Sequence, residues 1–358
     1  MLVLVPALVS FTKTMLEPSN SSFSIRSVEW LREHGASSLV DRVESIYYSL
    51  NAPSKGGPAL HALPRVGVAS AGAAGARRAA VIDRPAAIRP LLQPALPGEG
   101  MWDRTRASES RTDPPLLVTS FRSDPAEYPR LVAGVAWINT SKTDISLYAG
   151  RLEPSVELPA RGPLEVPSSL RRRLLATFNS GFKIADDKGG WALHGHTYSP
   201  MRDGQATFVR YSDGRYDVME WHGGARVSAD VVFARQNLPL IVNGGKPSPR
   251  LSNGPEWGAT LGNAIQVWRS GIGIDRRGNL IYAAADYQTV ASLAHVLMRA
   301  GAVRAMELDI NSYWTSFISY AGPGGAHPSN LLSGMERSPL RYLTPDDRDF
   351  FAVYEGRG

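Results

Sequence analysis

The segment WRSGIGIDRRGNLIYAAADYQTVASLAHVLMRAGAVRAMELDINSYWTSFISY, Trp268 to Tyr320, decides the fold. Arg269-Ser270-Gly271-Ile272-Gly273-Ile274-Asp275 and Leu280-Ile281-Tyr282-Ala283 are apolar runs joined by Arg276-Arg277-Gly278-Asn279, which predicts a β-hairpin. A helix is expected next. Thr289 suits an N-cap, Val290, Leu293, Ala294 and Leu297 recur at helical spacing, and Gly301 suits the position after the helix end. The chain then returns as a strand from Val303 to Ile310. Strand alternation places Met306, Leu308 and Ile310 on one face and Glu307, Asp309 and Asn311 on the other. Two carboxylates ~7 Å apart along one strand face repel each other unless a cation, donors or a shared proton offsets them. Such a face is either the lip of a polar pocket or plain solvated surface, and Trp314 and Phe317 just beyond favour a buried strand ending in a cleft.

Outward from this segment, 358 residues with 43% hydrophobic and 20% charged residues suffice for a sizeable core. The net charge of +6 and pI near 9.5 fit anionic wall polymers or lipid headgroups. No zinc-finger spacing, aromatic RNA-binding motif or long basic helix accompanies the charge, so no nucleic-acid partner is expected. The absence of cysteine excludes disulfides, thiol nucleophiles and thiolate metal sites.

Four regions follow from composition. Residues 1–16 are nearly all apolar and are expected to be a truncated signal or membrane anchor, giving an extracytoplasmic protein that is anchored or secreted. Residues 23–50 carry helical spacing split at Gly35-Ala36-Ser37, with Glu29, Glu33, Asp41 and Glu44 expected on a solvated face. Residues 51–97, rich in alanine, proline and glycine, read as an extended linker. Residues 98–358 form the folded domain. Its turn-bounded short strands and few helices predict an α+β fold with a mixed, largely antiparallel sheet.

Several groups could carry chemistry. Asn179-Ser180-Gly181-Phe182-Lys183 sits at a strand end, where an amide, a close backbone approach, an aromatic wall and a cation converge, or where a plain turn forms. Asn243-Gly244-Gly245-Lys246 offers glycine N–H groups beside a lysine, either as an anion cradle or as a tight turn. His194 and His196 share a face if extended; they suit a metal with Asp186, Asp187 or Glu220, or hydrogen bonding and proton transfer. Arg269 suits bidentate phosphate recognition or an ion pair with Glu307 or Asp309. No Gly-x-Ser-x-Gly elbow occurs.

In order, these landmarks resemble the phosphodiester glycosidase family, the uncovering-enzyme group. Asn179-Ser180-Gly181-Phe182-Lys183 is similar to its Asn-Gly-Gly-Phe-Phe junction, and Val242-Asn243-Gly244-Gly245-Lys246 to its later strand and turn. Arg269-Ser270-Gly271-Ile272-Gly273 is similar to its Arg-Thr-Ala-Ile-Gly strand, and Ala305-Met306-Glu307-Leu308-Asp309 to its Ala-Leu-Asn-Leu-Asp strand. The family's glycine run after the aspartate is replaced by Ile310-Asn311-Ser312-Tyr313-Trp314, marking a divergent, bacterial branch. The resemblance implies a hydrolase of sugar-1-phosphodiesters, with no cofactor and no metal. Its candidate catalytic residues are Asp309, Glu307 and His196. Asn179, Gly181, Phe182, Lys183, Asn243, Gly244, Arg269, Asn311 and Trp314 would bind substrate. Asn179, Arg269, Glu307 and Asp309 are expected to line one concavity. The implied partners are a phosphorylated sugar or cell-wall glycopolymer and, through the N-terminal segment, a membrane. The rival reading is a noncatalytic, membrane-tethered binder of phosphorylated wall glycans.

Overall fold

The computed structural model describes residues 4–56, 60–64, 84–105, 114–124, 127–252, 254–258 and 266–356. Among these, 18 strands form three sheets of eight, five and five strands, and every ladder is antiparallel. Helices are few, so the domain is α+β with antiparallel pairing dominant. The hairpin Val267–Ile274 and Leu280–Gln288 lies at the middle of the eight-stranded sheet, with Ile272 opposite Tyr282 on one side and Met306 on the other.

Alternation along this hairpin feeds two cores. Ile272, Ile274, Tyr282 and Met306 join Phe178, Phe208, Phe233 and Phe351 in a core shared by all three sheets. Each buried phenylalanine contributes roughly 1.5–3 kcal/mol. The opposite face of the large sheet meets the helix Val290–Arg299 through Leu293, Val296 and Leu297. Gly271 lies on that face because a Cβ there would come within 2.8 Å of the Met306 carbonyl oxygen and 3.0 Å of Leu297. Thr289 caps the helix with Ser292 in a reciprocal capping box, and Gly301 follows it at φ +106°.

The returning strand is shorter than its alternation suggests. It spans Arg304–Glu307, and the chain then leaves the ladder. Leu308 N–H donates to Ser270 O and Asp309 N–H to Ser180 O, 3.1 Å away. That second bond brings the end of this strand against the end of Leu174–Asn179, the central strand of another sheet. The candidate site forms at this junction.

The N-terminal segment folds as helices Leu4–Leu16, Phe23–Leu31 and Ser37–Leu50. Gly35, at φ +87°, allows the kink within Arg32–Ala36 that divides the second from the third. Phe11 packs edge-on against Phe23 and Trp30, with centroids 6.0 and 5.2 Å apart. Of the Asn51–Pro97 stretch, residues 57–59 and 65–83 lie outside the described residues. Its end packs on the domain: Ile88 is buried against the large sheet, and its N–H donates to Gly100 O. Among the described residues, no helix is long and apolar enough to cross a membrane.

Candidate active site

A pocket of about 440 Å³ opens where the two strand ends meet. Its domain wall includes Phe182, Lys183, Asp186, Asp309, Asn311, Trp314 and Arg348. Glu29, Arg32, Ser37, Asp41 and Glu44 of the N-terminal helices form the facing wall.

Asp309 is the deeply buried carboxylate of this pocket and is 5% exposed. Its Oδ2 accepts from Arg348 Nη2 at 2.7 Å, and its Oδ1 accepts from the Asn311 N–H at 3.0 Å. Ser270 Oγ and Thr315 Oγ1 donate to its carbonyl oxygen. The carboxylate is therefore fixed through both backbone and side chain. Burial pushes its pKa above the ordinary value, and Arg348 and the Asn311 N–H pull against that rise. The Arg348 guanidinium also donates to Gly181 O and stacks 5.3 Å from the Trp314 ring centroid.

Lys183 supplies a cation at the mouth. Its ammonium pairs with the Glu29 carboxylate. Burial, with Arg348 repelling, lowers its pKa to about 8. Trp314 lines the pocket with Phe182. Arg337, Arg341 and Arg348 surround Trp314, with guanidinium carbons 5.2, 5.1 and 5.3 Å from its centroid. Asp346 balances Arg341 at 2.7 Å and Arg337 at 3.3 Å.

The four residues expected to line one concavity gather closely, but of them Asp309 lines this pocket. Asn179 lies underneath as a junction bolt. Its Oδ1 accepts from Tyr282 OH and the Ser316 N–H, while its Nδ2 donates to Ser180 O and Ser270 Oγ. All its polar capacity is taken up in joining the two sheets. Arg269 and Glu307 form a fully buried ion pair at 2.6 Å. Arg269 also donates to Gln288 O and Trp257 O, on the helix-bearing side of the large sheet. The strand ends at Glu307, so the alternation that would align Glu307 with Asp309 does not continue, and each carboxylate has its own arginine. Burial drives Glu307 up to about 7 against the pull of Arg269, and among the described residues its Oε2 has no hydrogen-bond partner.

The remaining candidates are scattered. Gly181 lies behind the pocket, where a Cβ would come within 3.3 Å of the Asn237 side chain. Asn243 and Gly244 form a hairpin at the edge of the large sheet, pairing Asn243 with Lys246 around Gly244 and Gly245 at φ +60° and +73°. His196 lies exposed on a hairpin of another sheet, with its Nδ1 near its neighbour His194 O. Among the described residues, no group of three His, Asp or Glu side chains could hold a metal ion.

The sequence reading missed Arg348 and the acidic side chains facing the pocket. Glu29 meets Lys183, while Asp41 and Glu44 bind Arg32 at 2.8 and 2.7 Å, so these three are paired and not simply solvated. Arg348 lies in an acidic run, Asp346-Asp347-Arg348-Asp349, with no local feature to distinguish it from a solvated turn.

No family model matches the chain, and no curated protein matches it. Among solved structures, it is similar to the zebrafish N-acetylglucosamine-1-phosphodiester alpha-N-acetylglucosaminidase catalytic domain auto-inhibited by its pro-peptide. That likeness has 17% identity and a TM-score of 0.43, over 71% of this chain and 87% of that one. It is also similar to a hypothetical protein from Synechocystis, at 14% identity and a TM-score of 0.36, over 63% of this chain and 59% of that one.

Proposed function

We propose that the pocket at Asp309 hydrolyses a sugar-1-phosphodiester, breaking the bond between the anomeric carbon and the phosphate-linked oxygen. The observation that carries this reading is a buried carboxylate, fixed by Arg348 and the Asn311 N–H, in one pocket with Lys183 and two aromatic walls. Lys183 meets the phosphate, while Phe182 and Trp314 flank the sugar. Water forms a bond to the anomeric carbon as the carbon–oxygen bond breaks, and that bond's electron pair leaves with the phosphate. One water proton stays on the new sugar hydroxyl, and Asp309 takes the other. The departing phosphate is a weak base, so departure needs little acid assistance.

On this reading, the substrate is a phosphorylated sugar or wall glycopolymer outside the cytoplasm. The apolar helix Leu4–Leu16, with Val5, Leu8, Val9 and Leu16 exposed, would hold the protein at a membrane surface. Purified protein is incubated with a panel of sugar-1-phosphate methyl diesters, with and without chelator. Release of free sugar that Asp309→Asn abolishes supports the proposal. Binding without release favours a glycan-binding protein, and chelator-sensitive release favours a metal-dependent phosphoesterase.

A further inference from the structure

We infer that a second pocket, at the far end of the central hairpin from Asp309, is a binding site for a phosphate-type oxyanion held by arginines. It shares no lining residue with the Asp309 pocket and stands independently of the hydrolysis proposed there.

This pocket, of about 290 Å³, lies where the turn after Ile274 meets the C-terminal end of the helix Val290–Arg299. Arg84, Arg276, Arg277 and Arg299 line it together with a single carboxylate, Asp275. Ser270, which bonds the Asp309 carbonyl, lies five residues before Asp275, about 17 Å away at the usual strand rise.

Asp275 offers these arginine side chains little, because its acceptor sites are filled from elsewhere. Oδ1 accepts from the Arg277 and Asn279 N–H groups at 2.8 and 2.9 Å. Oδ2 accepts from Trp137 Nε1 at 3.2 Å and Asn279 Nδ2 at 3.3 Å. Arg84 Nε is buried and has no hydrogen-bond partner among the described residues. Burial and the nearby Arg104 push the Arg84 pKa down, which marks a charge short of compensation. Arg299 donates to the Arg122 carbonyl at 3.0 Å and the Arg89 carbonyl at 3.2 Å, dipoles that leave its charge uncancelled. The helix C-terminus adds only about half a negative charge, too little to balance four guanidinium groups.

The segment that carries Arg84 is fixed to the domain. Trp102 Nε1 donates to Ala86 O at 2.8 Å, and Ile88 is buried against the large sheet. A planar guanidinium fork matches the oxygens of a phosphate, and the volume admits that group with a short organic tail. A free phosphate ester and a lipid headgroup present the same chemistry.

Calorimetric titration of the full-length protein with inorganic phosphate tests this, with sedimentation of phosphatidylglycerol vesicles as a second arm. Both use the Lys183→Met background, which lacks the cation expected to hold phosphate in the Asp309 pocket. Phosphate is expected to bind there, and Arg84→Gln/Arg276→Gln to weaken it about tenfold per arginine. Arg276 is exposed at its turn, so Arg276→Glu places a competing carboxylate at the pocket without disturbing the core. It is expected to weaken binding at least tenfold and decides alone should the double variant fail to fold. Arg172→Gln/Arg226→Gln removes equal charge from exposed positions outside the pocket and is expected to leave affinity unchanged. Vesicle binding that falls with the pocket arginines supports the site with a lipid headgroup as ligand. Phosphate binding alone supports it with a free phosphate ester. The inference is overturned if the Lys183→Met protein binds neither probe, if the pocket variants bind like their parent, or if the control loses as much. Sugar release by Arg84→Gln/Arg276→Gln in the wild-type background is expected to match wild type, so this site and the hydrolysis are read separately.

Discussion

Arg348 Nη2 donates to Asp309 Oδ2 across 2.7 Å, joining positions 39 apart in sequence, with both side chains almost wholly buried. Removing one partner leaves the other charge buried without compensation. Arg348→Met is expected to cost about 3–5 kcal/mol of stability, measured by urea unfolding, and to push the Asp309 pKa higher still. Arg348→Lys keeps the charge but loses the rigid planar group whose Nη2 donates to both Gly181 O and Asp309 Oδ2, so it is expected to fall between wild type and Arg348→Met.

Gly150 tests the same contact through the backbone. A Cβ there would lie 2.4 Å from the Arg348 carbonyl carbon and 2.6 Å from its nitrogen. Gly150→Ala is expected to displace Arg348, with a stability loss on the order of 1–3 kcal/mol, as for an overpacked core, and weaker activity. Urea unfolding with parallel turnover assays checks both.

Arg269 and Glu307 brace the sheet beneath the pocket. Arg269→Met alone is expected to destabilise by about 1–3 kcal/mol, because Glu307 would be left as a neutral acid, buried without the hydrogen bond from Arg269. The double variant Arg269→Met/Glu307→Leu is expected to be more stable than that single variant. A double-mutant cycle by urea unfolding reads the coupling.

Glu307 also gives a pH signature. Its folded pKa of about 7 lies above the ordinary 4.5, so the folded chain holds this proton more tightly than the unfolded chain. Its contribution to stability is therefore full below about pH 4.5 and is lost as pH rises through about 7. Urea unfolding at pH 5 and pH 8 is expected to show a drop in stability over that interval that is larger in wild type than in Glu307→Gln.

Much of the fold was legible because it is local. The Ile272 and Ile274 alternation, the Gly278-Asn279 turn, the Thr289 cap and the Gly301 stop each act within a few residues, and each appears where its local chemistry places it. The split of the N-terminal helices at Gly35 follows from one residue able to take a positive φ. The site was less legible. Alternation put Glu307 and Asp309 on one face, but a strand end is set by what it pairs with, and Ser180 draws Asp309 away from the ladder. Asn179 looked like a ligand group because a strand-end amide is suited to that role. Its four bonds to other parts of the chain depend on sheet packing that no local pattern encodes. Arg348 and Glu29 enter the pocket from opposite ends of the sequence, and only tertiary structure brings them there.

The central claim is that Asp309 is the working carboxylate. The most direct measurement is free-sugar release from sugar-1-phosphate methyl diesters by wild type and Asp309→Asn, with folding of each verified by circular dichroism. The account predicts release by wild type and a fall on the order of 10²–10⁴-fold in Asp309→Asn. Equal release by the two proteins, or none from wild type, would contradict it.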